Sequence, residues 1–346
     1  MAQRPTIASV ADAAGVSRQT VSNALNAPER VGPDTLARVM STIAQLGYRP
    51  SGAARQMRTG RSHLLALRIE SARDGVNGSI GDRFLHALAE SAKAAGYRIL
   101  LCTAEDDESE LAEYDELHAT KDLDGVILTA TRHADPRRAR LAQAGLAYVS
   151  FGRPWELTAT GSSITDGHWV DVDGAAGTRA ATAHLASLGH RRIGFLGWPS
   201  PSEVGDDRRS GWAGAMAELL PDAPAADATS VDEVDAGRAA ASVLLDGAAP
   251  TAIVCGSDTL AIAAAAEVAR RGLRVGADVS IVGFDDTPAA RALGLASLRQ
   301  PLDEVADQCV AGLLRQFRGA TGTTGRLLQP SLVLRPSVQP PRHSEG

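Results

Sequence analysis

The feature that most restricts the fold is an alternation that begins at residue 64. Short apolar runs, LLALRI (64–69), YRILLC (97–102), GVILTA (125–130), AYVSF (147–151), IGFLG (193–197), TAIVC (251–255) and VSIVGF (279–284), are separated by stretches with helical periodicity. Among the latter are FLHALAESAKAA (84–95), AAGTRAATAHLASLG (175–189) and DTLAIAAAAEVARRG (258–272). Runs that are apolar throughout belong to strands buried on both faces, and strands alternating with helices build parallel sheets covered on both sides. About 280 residues suit two such lobes with a cleft between them, where the carboxyl ends of the strands point. Changes of lobe are expected near 160–168, 290–298 and 320–328, and SVQPPRHSEG (337–346) is expected to be a mobile tail.

The first 62 residues are different in kind. They hold eight arginines against three acids, a net +5, while the remainder carries 27 basic and 38 acidic side chains, a net −11. A basic module joined to an acidic one fits a polyanion partner for the first part alone, although a solvated arginine-rich face would read the same way. Three short helices are legible there. Thr6 can cap one carrying Ile7, Val10 and Ala11 on a single face. Gly15 breaks it, and Ser17 caps a second. Pro33 and Asp34 open a third, along which Leu36, Val39, Met40, Ile43 and Leu46 recur before Gly47 stops it.

Between the first two helices lies "GVSRQTVSNALN" (15–26), a glycine turn followed by a helix with polar residues at its start, as in a helix-turn-helix. Val21 and Leu25 face one way; Arg18, Gln19, Ser22, Asn23 and Asn26 face the other. Arginine can grip guanine with two hydrogen bonds, and glutamine or asparagine can grip adenine likewise. Ser17, Thr20 and Ser22 are short donors suited to phosphate oxygens, and Thr6 and Asn26 stand at the edges of the same surface. A small helical bundle with a polar outer face would share this pattern. "GYRPSGAARQMRTGRS" (47–62) then offers one large apolar residue, Met57, between Arg55 and Arg58. It is either a linker or a helix ordered by DNA, with Met57 as a wedge in the minor groove and the arginines on phosphates.

These segments, taken together, resemble the lactose-repressor family of bacterial transcription regulators over essentially the whole chain. The resemblance implies a helix-turn-helix head at 1–49, a hinge helix and linker at 50–62, and a two-lobed effector-binding and dimerisation domain at 63–336 similar to periplasmic sugar-binding proteins. It maps the family's base contacts onto Arg18, Gln19 and Asn23. Its hinge wedge, usually leucine, maps onto Met57, whose flexibility implies looser discrimination at the central base step. The implied partners are double-stranded pseudo-palindromic operator DNA, a second copy of the chain and a small effector, with no membrane. The absence of C-terminal leucine heptads favours a dimer.

In the large domain, Asp285 follows the strand VSIVGF, so its carboxylate leaves a strand's carboxyl end; a cap or turn role is the alternative, and Asp286 suits that better. The family binds its effector with the first acid of "GFDD", which selects Asp285. Arg208 in "DDRRSGW" matches a family arginine, and its rigid guanidinium fork suits hydroxyls or carboxylates. Arg209 reads as a surface salt bridge. In "CGSDTLA", Ser257 stands where the family usually has asparagine, and Asp258 looks like a helix cap. Asp173 either faces the cleft or caps a helix. The family's adjacent aromatics, which stack on flat ligands, are replaced by Ile80 and Gly81, which disfavours a purine; Asp82 and Arg83 follow and offer polar contacts. Trp198 could be a sugar platform, Trp155 and Trp169 are weaker candidates, and Trp212 reads as core.

Other readings need features the chain lacks. There is no Walker A loop, no G-x-S-x-G elbow, no H-E-x-x-H and no C-x-x-C. The eight histidines are dispersed, with His184 and His190 reading as structural or surface residues. The acid pairs Asp171 with Asp173 and Asp206 with Asp207 are explained equally well by solvated loops. The expectation is therefore no enzyme, no catalytic residues, no metal and no cofactor. A sugar-binding protein or enzyme with an accessory DNA-binding head is the alternative. The start MAQRPTIASV carries no apolar run of a secretory signal, and Cys102, Cys255 and Cys309 are too scattered for a disulfide framework. Both point to the cytoplasm.

Overall fold

The computed structural model describes residues 5–49, 56, 60–69, 78–155, 167–320 and 322–342. These divide into two compact units, one of residues 1–63 with 119–124 and one of 64–118 with 125–346.

In the first unit the local chemistry of the sequence sets the helices. Helix α1 (Ile7–Ala14) begins with a capping box in which Thr6 and Ser9 satisfy each other's backbone amides, and Gly15 closes it in the left-handed region. Helix α2 (Arg18–Asn26) is capped by Ser17, whose hydroxyl accepts from the amide of Thr20. A 3-10 turn (Pro28–Arg30) leads to α3 (Pro33–Leu46), which Gly47 ends in the left-handed conformation. Val10, Ala14, Val21, Ala24 and Val39 form the shared core. The expected stripe on α3 is wider than what is buried, since Met40 is 46% and Leu46 40% exposed. Three short helices close over too small a core to cover every apolar position.

The second unit is two parallel-sheet lobes. Lobe 1 orders its strands β11-β5-β4-β3-β1-β2, with β1 Leu64–Arg68, β2 Arg98–Cys102, β3 Gly125–Leu128, β4 Ala147–Phe151, β5 Trp169–Val172 and β11 Gly325–Leu328. Its helices are α4 (Gly78–Ala94), α5 (Asp107–Ala119), α6 (Pro136–Gln143) and α12 (Leu302–Phe317). Lobe 2 runs β12-β10-β9-β8-β6-β7, with β6 Ile193–Gly197, β7 Asp227–Thr229, β8 Ala252–Cys255, β9 Ser280–Phe284, β10 Ala296–Arg299 and β12 Ser331–Val333. Its helices are α7 (Gly174–Ser187), α8 (Glu203–Leu219), α9 (Val234–Ala248), α10 (Asp258–Arg270) and α11 (Pro288–Ala292). Only β12, among the described pairings, runs antiparallel to its neighbour. Every strand expected from the sequence is present.

Both faces of the lobe 2 sheet are covered. One packs Leu185, Trp212 and Met216 against Phe195 and Val282; the other packs Leu244, Leu260 and Ala264 against Ile253 and Ile281. Trp212 stacks on Phe195 and donates its indole N–H to the carbonyl of Ile193, as its core assignment requires. Gly211 lets α8 approach α7, for a Cβ there would overlap the carbonyl oxygen of Ala175.

Two expectations need correction. The chain changes lobes at 172–174, 299–302 and 328–331, a few residues later than read from the sequence, because β5, β10 and β11 still belong to the lobe being left. The segment 337–342 is no mobile tail. Ser337 and Val338 are buried. The Ser337 hydroxyl accepts from the amide of Ala296 at 2.7 Å, and the Gln339 carbonyl takes the imidazole of buried His190 at 2.8 Å and the hydroxyl of Ser280 at 3.0 Å.

Candidate DNA-binding face and ligand cleft

In the first unit, Ser17, Arg18, Gln19 and Asn26 are exposed on α2, with Thr20, Ser22 and Asn23 half-buried beside them. Gln19 donates to the Asn23 side chain at 3.0 Å, which holds two amides side by side as a single donor–acceptor surface. Ser17 and Thr20 exchange a hydroxyl hydrogen bond at 2.9 Å. Asn26 turns its amide back to the carbonyl of Ser22 at 2.7 Å, and Thr6 is engaged in its capping box. Ser17, Thr20 and Asn23 line a hollow of about 360 Å3 together with Arg30, Thr35 and Arg38. The last three were missed in the sequence. Their signal was available, since α3 opens on Gly32-Pro33 with no side-chain cap, leaving amides at a positive helix end beside two arginines. Arg55, Met57 and Arg58 lie outside the described residues.

In the second unit, Arg208, Asp285, Trp198, Ser257 and Arg83 converge where the two lobes meet. Arg208 leaves α8 almost fully buried. Its guanidinium lies 3.6 Å from the Phe284 ring centre and 5.2 Å from that of Trp198, and Nη1 donates to the Gly256 carbonyl. Nη2 is 3.9 Å from the Asp285 carboxylate. Burial lowers the pKa of this arginine, and the acids around it, Asp285 first, oppose that shift. Asp285 sits past the end of β9 with φ at +113°, a conformation that a non-glycine residue holds at a cost of about 1–3 kcal/mol. Its side chain is 15% exposed and accepts from Gln300 at 2.6 Å. Burial pushes its carboxyl up to about 7, against the pull of Arg208. Backbone strain and a displaced pKa thus coincide at one residue of the cleft, which makes Asp285 a candidate site residue.

Ser257 is the N-cap of α10 and donates its hydroxyl to Asp232 at 2.5 Å, which sets that acid beside the start of the helix. Arg83 reaches from lobe 1 to the Asp285 carbonyl at 3.1 Å. Trp198 is half-buried. Its indole N–H, that of Trp155 and Nε of Arg208 are buried without an acceptor among the described residues. Buried donors without partners cost about 1–3 kcal/mol each, which a ligand rich in oxygen acceptors would recover.

Other expected residues fall elsewhere. Asp82 stays on the surface, 67% exposed, paired with His86. Asp173 caps α7 through one oxygen and accepts from Gln329 through the other, so the cap reading holds. Asp258 is not the cap; it is the first residue of α10, with its buried carboxylate taking the Ser297 hydroxyl and the Thr287 amide, each at 2.6 Å. Asp286 is fully buried and gathers Arg291, Arg299 and Arg335. Trp169 is in the lobe 1 sheet and Ile80 packs on that lobe's core. Arg209 pairs with Asp227 at the surface, as expected.

Arg153 stands in no motif that would single it out in the sequence. It follows β4, lies 4.6 Å from the Trp155 ring centre, donates to Asp171 at 2.6 Å, and crosses to Asp207 of lobe 2 at 3.3 Å. Asp171 and Asp207 are therefore not loop acids in solvent. Burial raises the pKa of Asp207 despite Arg153. His133 makes a second crossing, its amide donating to Glu203 at 3.0 Å.

No group of three or more histidines, cysteines or acids among the described residues is placed to hold a metal, and no described helix is long and apolar enough to cross a membrane. A helix-turn-helix unit and a two-lobed domain with a polar, aromatic-flanked cleft define a DNA-binding transcription regulator with a ligand-sensing domain. The chain belongs to the lacI family of bacterial regulatory proteins, whose model matches residues 6–51, while that of the periplasmic binding protein-like domain matches 182–338. The HTH-type transcriptional regulator CelR of Thermobifida fusca is 32% identical over 350 residues, covering 97% of this chain and 98% of the relative. Among solved structures, the transcriptional regulator CelR–cellobiose complex is similar, with a TM-score of 0.68 at 28% identity over 96% of this chain and 100% of that one. So is the lac repressor dimer bound to operator and the anti-inducer ONPF, with a TM-score of 0.78 at 25% identity over 97% and 100%.

Proposed function

We propose that this regulator is a cytoplasmic repressor, without enzymatic activity, that binds a pseudo-palindromic operator as a homodimer and alters its grip when a small sugar enters the cleft. Arg18, Gln19 and Asn23 read base edges in the major groove. Thr6, Ser17, Thr20, Ser22 and Asn26, with Arg30, Thr35 and Arg38, hold phosphates. Met57 wedges the minor groove between Arg55 and Arg58. Residues 1–49 are the reading head, 50–62 the hinge, and the rest the sensor.

The effector is held by Arg208, Asp285, Arg83 and Trp198, with Ser257 acting through Asp232. It works only through unequal affinity for two lobe arrangements, which shifts the hinge between its DNA-ordered and free states. The observation that carries this reading is the pair of buried donors without an acceptor among the described residues, the Trp198 indole N–H and Nε of Arg208, whose guanidinium lies 5.2 Å from that ring centre, in a chain that also presents an exposed donor face on α2. That CelR, a relative over nearly the whole chain, forms a cellobiose complex supports a sugar.

The test is selection of bound sequences from random DNA by the purified protein. A twofold-symmetric site with one protein dimer per site is the expected result, because twofold protein symmetry is mirrored in half-sites. Unselective binding, or one monomer on an asymmetric site, would refute it.

A further inference from the structure

We propose that Asp124 is a positioning residue for operator binding: it clasps Ser62 and His63, where the chain passes from the hinge into the sensor, and thereby sets the spacing at which the two heads of a dimer meet DNA. This rests on the reading of the chain as a dimeric, operator-binding regulator. One oxygen of the Asp124 carboxylate accepts from the Ser62 amide at 2.8 Å and from the Ser62 hydroxyl at 3.0 Å; the other accepts from the His63 amide at 2.9 Å. Hydrogen bonds to a carboxylate are stronger than those between neutral groups. His63 stands at a φ of +59°, a left-handed conformation that lets successive amides face one anion and that a histidine holds only at a cost. Gln56, within the hinge segment, reaches the same loop. Its side-chain amide donates to the Lys121 carbonyl at 2.5 Å, and its own carbonyl takes the amide of Gly60 at 2.7 Å. The loop 119–124 groups with residues 1–63, although the chain enters it from α5 and leaves it into β3, both of lobe 1.

The strand that follows does not need the clasp for its own order. Leu64–Arg68 is paired with β2 along its whole length and with β3 from Leu65 to Leu67. What the carboxylate fixes is the two residues before that strand, 62 and 61 positions away in sequence, at the sensor end of the tether that carries the head. Asp124 leads directly into β3, which is buried throughout and pairs with β1 on one side and β4 on the other, so the carboxylate stands on a rigid element. Without the clasp, residues 60–63 would add about four flexible residues to the tether, an r.m.s. reach of about 10–12 Å. One inserted base pair lengthens DNA by only about 3.4 Å. A dimer reads half-sites at a fixed separation, so a tether that loose would accept spacings that a clasped one refuses.

The test is competition binding of the full chain to its selected operator and to versions with one or two base pairs inserted at the centre. Wild type should prefer the selected spacing over the longer insertion by at least about 30-fold. Asp124→Asn, which turns one acceptor oxygen into a donor, should narrow that ratio at least about fivefold, and Asp124→Ala should narrow it further. A folded Asp124→Asn that keeps the wild-type ratio would overturn the inference and leave the operator reading intact, as would a wild type that binds every spacing alike. A wild type that selects no twofold site would overturn the operator reading and this inference with it. If neither variant folds, hydrogen exchange at the Ser62 and His63 amides of wild type decides: protection of at least about 100-fold is expected, and exchange at the open-chain rate would overturn the clasp.

Discussion

Replacing Arg208 with alanine should separate DNA binding from ligand response. The guanidinium lies over Phe284 at 3.6 Å and donates to the Gly256 carbonyl, with its Nε aimed at no protein acceptor. A hydrogen bond from that charged donor to an effector oxygen is worth about 1.5–3 kcal/mol, so losing it should weaken the effector roughly 10- to 150-fold. Stability changes less. The Gly256 bond and the ring contact are lost, but so is the cost of keeping a buried guanidinium out of water, and the Asp285 pair at 3.9 Å is loose. A net loss of about 2 kcal/mol is expected, lowering Tm by a few degrees. Without its cation, the Asp285 carboxyl should rise further. Operator affinity without effector should stay within about twofold. Arg208→Lys, which keeps charge and loses the fork, should recover only part of the response. The assay is fluorescence anisotropy on a labelled operator titrated with sugar, beside a thermal melt. An unchanged half-maximal sugar concentration in Arg208→Ala would refute the assignment.

Arg18→Ala should cost about 1–3 kcal/mol on the operator and relax preference at one base pair; equal weakening on every sequence, measured by competition binding, would make Arg18 a phosphate contact. The carboxyl of Asp285 is raised in the folded protein to about 7 from an ordinary value of 3.8, so the stability linked to it is present below about pH 4 and is lost as pH rises toward 7. Denaturant midpoints followed from pH 4 to 8 should therefore fall more steeply for wild type than for Asp285→Asn, and parallel profiles would contradict the burial argument. Deleting residues 337–346 should cost about 5 kcal/mol, because Val338 loses its packing and the buried amides of Ala296 and Ile281 lose their acceptors on Ser337; a truncated protein within about 1 kcal/mol of full length would restore the mobile-tail reading.

What was legible in the sequence was local. Thr6, Gly15, Ser17 and Gly47 fix their helix ends with atoms a few residues away, so composition at those positions was enough. The central strands are apolar runs buried on both faces, which sequence shows directly. The strands that were not anticipated are three to four residues long and sit at lobe changes or sheet edges, as with β5, β7 and β12, where too few positions exist for any periodicity. In the cleft, Arg208 and Asp285 were found from family motifs and the end of a strand. Arg153 was not, because its meaning depends on Asp207, 54 positions away and in the other lobe. Asp258 was misassigned for the opposite reason. A polar residue at a helix start looks like a cap, and only the fold shows that Ser257 caps while Asp258 ties Thr287 to Ser297.

The most direct measurement is anisotropy of the purified protein on its selected operator, titrated with cellobiose, maltose and other neutral sugars, with Arg208→Ala in parallel. The account predicts that one sugar shifts operator affinity, downward for an induced repressor or upward for a co-repressed one, and that the variant binds the operator equally well but needs at least about tenfold more of that sugar. A protein that holds its operator with the same affinity at every concentration of every sugar would contradict the claim that this cleft controls the DNA-binding head.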